Sequence, residues 1–81
     1  MKNITTRDEA LKIGGKEWGG KRVYFNDGAK EALLELEVSH YKHGGISSAK
    51  TDGKFISNSK ANKMLANKYY FDIATSQIIE D

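Results

Sequence analysis

The chain has 81 residues, 13 basic and 11 acidic side chains, a formal charge of +2 and 38% apolar residues. That is material for one small domain over residues 1–81, and too little for a Rossmann domain, a TIM barrel or an α/β-hydrolase, each of which needs many strand–helix units. Without cysteine there is no disulfide framework and no thiolate ligand or nucleophile, and no apolar run reaches the length of a membrane span or a signal-peptide core, so we expect a soluble cytoplasmic protein without membrane attachment.

Thr6-x-x-Glu9 is a capping box, and Asp8 and Glu9 suit the positive end of a helix dipole. It predicts a short helix through Ala10, Leu11 and Ile13, stopped at Gly14-Gly15. Lys16–Gly20 reads as a loop holding the only tryptophan. Lys21–Asn26 then alternates, with Val23 and Phe25 on one face and Arg22 and Tyr24 on the other, as in a strand buried on one side. Asn26-Asp27-Gly28 ends that strand and offers cap oxygens to a helix predicted from Ala29 to His40. Ala29, Ala32, Leu33, Leu36 and His40 form its apolar stripe, widened by Leu34, Val38 and Tyr41, while Glu31, Glu35 and Glu37 hold its wet face. Gly44-Gly45 closes it.

Ile46–Thr51 and Lys54–Ser57 flank Asp52-Gly53, a dipeptide suited to a type I′ hairpin because both central residues need positive φ. Asn58 or Ser59 caps a third short helix with Ala61, Met64 and Leu65 at helical spacing and Asn67 as its C-cap. Lys68–Ala74 is the strongest strand, with Tyr69, Phe71 and Ile73 on one face and Tyr70 and Asp72 on the other. Thr75–Asp81 reads either as a strand extension or as a frayed turn around Ile78 and Ile79. The order α-β-α-β-β-α-β makes an α+β fold: a small antiparallel sheet of three to four strands with two to three helices packed on one face.

Several patterns carry candidate chemistry, each with a plain structural counterpart. Gly15–Lys21 fits G-x-x-x-x-G-K, but a phosphate loop needs Ser or Thr next, to hold Mg²⁺, and then a helix. Here Arg22 and a strand follow, so the segment reads as a glycine-bounded loop. Ser47–Lys50 and Ser57–Lys60 match S-x-x-K, whose enzymes carry further motifs in a much larger fold; helix capping accounts for the second. His40-x-x-His43 is the one histidine pair. A zinc ion there would need Glu37, Asp27 or Asp72 to complete four ligands, and no spacing selects them. Glu31, Glu35 and Glu37 read as solvated carboxylates, and Asn3-Ile4-Thr5 matches a glycosylation acceptor that matters only in a secreted protein. We therefore expect no catalytic residue, no metal, no cofactor and no enzyme activity.

Charge divides unevenly. The first forty residues balance, whereas Lys42, Lys50, Lys54, Lys60, Lys63 and Lys68 face only Asp52 in the stretch between them. Two binding surfaces follow. Trp18, in a glycine loop beside Arg22, is the best single anchor for a protein partner, unless it plugs the core. Alternatively Lys50, Lys54, Lys60, Lys63 and Lys68 attract phosphates while Tyr24, Tyr70 or Phe55 stack on bases, unless those lysines only blunt strand edges and keep the protein soluble.

In size and composition over its whole length, and in stretches such as Lys21–Asn26 and Ser57–Asp72, the chain resembles small inhibitors encoded by phages and mobile elements, of which anti-CRISPR proteins are the best known. The resemblance implies a protein that blocks a protein or nucleoprotein assembly sterically. Members that mimic DNA do so through strong acidity, and a pI near 8.9 separates this chain from them. The expectation is a non-enzymatic binding protein, monomer or homodimer; the alternative is a nucleic-acid-binding module using the lysine-rich half.

Overall fold

The computed structural model describes residues 1–81. They run as α1 (Arg7–Lys12), β1 (Lys16–Trp18), β2 (Arg22–Tyr24), α2 (Asp27–Leu33), β3 (Leu36–His40), β4 (Ile46–Thr51), β5 (Lys54–Ile56), α3 (Asn58–Ala66), β6 (Tyr69–Asp72) and β7 (Gln77–Glu80). The α+β class stands, and the antiparallel strands divide between two sheets. One has the order β1-β2-β6-β7 and the other β3-β4-β5. Helix α1 packs on β2, α2 on β3, and α3 on β4. Ile4, Ala10, Val23, Phe25, Ala29, Leu33, Leu34, Leu36, Tyr69 and Phe71 form one core shared by both sheets.

The caps sit where the side-chain chemistry puts them. The Thr6 hydroxyl oxygen accepts from the Glu9 amide at 3.2 Å, and the Glu9 carboxylate in turn accepts from the hydroxyls of Thr5 and Thr6. Asn26 caps α2 through Oδ1 and uses its Nδ2 to donate to the Gly14 carbonyl at 3.1 Å, so one side chain joins the end of α1 to the start of α2. At α3 the cap is Ser57, one residue before Asn58 and two before Ser59, the expected caps, and its Oγ accepts from the Lys60 amide. Gly15 lies against β2: a Cβ there would stand 2.5 Å from Val23 Cγ1 and 2.8 Å from the Ala10 carbonyl oxygen. The guanidinium of Arg7 grips both Glu17 oxygens and ties α1 to β1.

The predicted helix from Ala29 to His40 ends early. It stops at Leu33, Glu35 turns left-handed at φ 55, and Leu36–His40 becomes β3. A continuous helix would also carry Leu33, Leu34 and Leu36 on one broad face, so the burial of these leucines does not by itself choose helix over strand. The break keeps all three buried and supplies the strand that β4 needs as a partner. His40 therefore does not close an apolar stripe; it is exposed, 3.9 Å from a Glu31 oxygen. The β4–β5 hairpin forms as read, with Asp52 and Gly53 at φ 54 and 73 between paired Thr51 and Lys54.

Lys30 joins the layers. This side chain, 8% exposed, donates from Nζ to the Leu65 carbonyl, comes within 3.5 Å of the Asn67 carbonyl oxygen, and pairs with Asp27 at 3.2 Å. A cation from α2 thus satisfies carbonyls at the negative end of α3. Lys16–Trp18, expected as loop, is the edge strand β1. Within Thr75–Asp81, Gln77–Glu80 forms β7, which pairs along β6 with Phe71 opposite Ile78.

Candidate functional site

Strand alternation decides what the four-stranded sheet shows to solvent. Val23, Phe71 and Ile78 are register partners on the core face. Their neighbours point the other way, and two rows cross the open face: Lys16–Tyr24–Tyr70–Ile79 and Trp18–Arg22–Asp72–Gln77. Trp18 is 69% exposed and Tyr24 38%, so Trp18 is not a core plug.

The groups on this face hold one another. The Arg22 guanidinium lies 4.4 Å from the Tyr70 ring centroid, and its Nη1 donates to the Tyr24 hydroxyl at 3.2 Å. The Tyr24 and Tyr70 rings stand 5.7 Å apart. Tyr70, only 9% exposed, is therefore the floor under Arg22 rather than a free ring. The hydrogen bond to Tyr24, helped by the adjacent Tyr70 and Tyr24 oxygens, raises Arg22 above its already high ordinary pKa. The cation rests on the Tyr70 ring and stays charged.

The turn beside it is tight. Lys21 donates its amide to the Trp18 carbonyl at 3.3 Å, and Gly19 and Gly20 take φ 63 and 68, a type I′ arrangement that only glycine adopts freely. Nothing lies within 4 Å of the position of a Cβ at either glycine, so the turn stands clear of the body. Trp18, Gly19, Lys21, Arg22 and Tyr24 together line an open recess of about 430 Å³. Lys16 and Lys21 are additions to the residues singled out from sequence. The signal for them was Gly19-Gly20, a hairpin dipeptide, just ahead of the alternating run Lys21–Asn26.

Of the nine residues read as a binding surface, Trp18, Arg22, Tyr24 and Tyr70 come together here. Four of the five lysines lie elsewhere, and Lys68 stands two residues before Tyr70, just ahead of β6 in the same sheet. Lys50 lies on β4 with its Nζ 4.5 Å from the ring of Phe55, itself 71% exposed, and in register with Glu37. Lys54 begins β5, Lys60 and Lys63 ride on α3, and Lys68 precedes β6. Ser57 of the S-x-x-K match is a helix cap. His43 stacks on Tyr41 at 5.2 Å, away from the Glu31 that meets His40. No three His, Asp or Glu side chains gather as a metal ion would require, and no helix is long and apolar enough to cross a membrane. Comparison of the chain with protein-family models, curated proteins and solved structures finds no match.

Proposed function

We propose that this is a non-enzymatic binding protein that docks on a larger protein or nucleoprotein assembly through the open face of its four-stranded sheet. It acts in the cytoplasm by blocking that assembly sterically, in the manner of the small phage inhibitors the chain resembles. One observation carries the reading: the chain's only tryptophan stands in solvent beside an arginine already locked between two tyrosines. Trp, Tyr and Arg dominate the energetics of protein-bound surfaces: the two rigid aromatics gain much contact for little lost entropy, and Arg offers a planar, five-donor cation. Here Arg22 needs little further ordering, so its side-chain entropy is largely spent before any partner arrives.

The test is retention of a partner from lysate by immobilised protein, comparing the wild type with the double variant Trp18→Ala, Arg22→Ala and with Lys60→Ala, Lys63→Ala on α3. Retention lost only in the first variant supports the reading. Retention equal in all three, or lost only in the α3 variant, refutes it and favours the lysine-rich half instead.

A further inference from the structure

We infer that the partner component this face takes is a single-stranded nucleic acid, one nucleotide seated in the recess at the β1–β2 turn. The inference rests on the docking face just described and adds the chemistry of its guest. Two of the five lining residues, Trp18 and Tyr24, are exposed rings, and two, Lys21 and Arg22, are cations. That combination asks for a guest both flat and aromatic and negatively charged. An acidic peptide segment supplies both only where an aromatic side chain adjoins its carboxylates, whereas a nucleic-acid strand repeats ring and charge at every residue. A duplex supplies phosphates but keeps its ring faces inside its own stack. An unpaired nucleotide supplies both, and any base serves, because every base has a π-face.

The surroundings of the recess agree with this guest. The recess is an open depression of about 430 Å³, so a flat ring can lie against Trp18 or Tyr24 without entering a closed cavity. Glycine at positions 19 and 20 leaves no side chain over the turn, so a backbone phosphate can approach Lys21 closely. Lys16 stands in the same sheet row as Tyr24 and extends the positive charge along β1. Asp72, the register partner of Arg22, marks the side from which phosphates are repelled. The strand's path therefore runs along the β1–β2 hairpin rather than across towards β7. The phosphate-facing cations are Lys16, Lys21 and Arg22; the lysines of the second sheet and α3 take no part.

Trp18 is the only tryptophan, so intrinsic fluorescence reports on this recess alone. The probes are oligodeoxyuridylate and oligouridylate of roughly 15 nucleotides, which differ only at the sugar, with a duplex of equal length as the contrasting arm. Stacking should quench Trp18 with both single strands, and the stronger of the two identifies DNA or RNA as the source. Three neutralising cations on a single strand give a slope of log K against log salt of about −2, roughly twentyfold lost for a fourfold rise in salt. By anisotropy of the labelled strand, Trp18→Ala should lose roughly tenfold or more in affinity. Lys21→Ala should flatten the salt slope by roughly 0.7, and Lys60→Ala, Lys63→Ala should do neither. Absence of quenching, equal affinity for the duplex, or indifference to Trp18→Ala overturns the inference. If that happens while lysate retention stays sensitive to Trp18→Ala and insensitive to nuclease, the docking face stands with a protein guest. If retention is also indifferent, both readings fall.

Discussion

Replacing Lys30 by methionine tests how the two layers are joined. Methionine keeps most of the buried stem and removes the ammonium group, so the change isolates the cap on α3 from simple loss of packing. The Leu65 and Asn67 carbonyls lose a charged donor in a partly buried place. A hydrogen bond to a charged group contributes about 1.5–3 kcal/mol net. The ion pair with Asp27 adds little, since that carboxylate is exposed and solvent screens it. We expect a loss of about 2 kcal/mol, and in a domain of this size each kcal/mol moves the melting temperature by about 4–8 °C. Thermal unfolding followed by circular dichroism should therefore show the midpoint lower by roughly 8–16 °C. Amide exchange should quicken first in the last turn of α3, while Lys30→Arg keeps the charge and restores part of the loss. A methionine variant melting within about 3 °C of the wild type, with α3 exchange unchanged, refutes the capping argument.

Gly15→Ala forces a methyl group against Val23 and the Ala10 carbonyl, and should cost about 1–3 kcal/mol of unfolding free energy in a urea titration; no change would mean that β2 yields easily. Glu35→Gly should leave stability unchanged or raise it by about 0.5 kcal/mol, because relief of a left-handed non-glycine residue outweighs the exposed ion pair with the N-terminal ammonium; a clear loss in the same titration contradicts this. Arg7, through its hydrogen bond and charge, holds Glu17 below the ordinary value of 4.5, so the folded chain binds fewer protons there than the unfolded one. The pair's stabilisation is complete above that ordinary value and disappears as pH falls through the lowered one. The wild type should melt above Glu17→Gln at neutral pH, and the gap should close in acid; a gap independent of pH excludes the pair as its source.

Local chemistry was legible in the sequence wherever a few neighbouring side chains decide the backbone. Thr6 with Glu9, Asn26 before Ala29 and Asp52-Gly53 each fix a cap or turn within four residues, and the alternation in Lys21–Asn26 and Lys68–Ala74 placed Arg22, Tyr24 and Tyr70 opposite the core. That alternation already paired three members of the candidate site by face, though not with one another. Residues 34–40 were illegible because Leu36 serves helical and strand spacing equally well, and only the presence of β4 beside it favours the strand. Short β1 and β7 have too few residues for a pattern and exist because β2 and β6 offer edges to pair with. The exposure of Trp18, the burial of Tyr70 under Arg22, and the placing of Lys50, Lys54, Lys60 and Lys63 on other elements are likewise long-range facts. Sequence fixes what each strand turns inward, since side chains alternate along any extended backbone. Which strands become neighbours, and hence which outward residues form one surface, depends on contacts far apart in the chain that only the packed core selects.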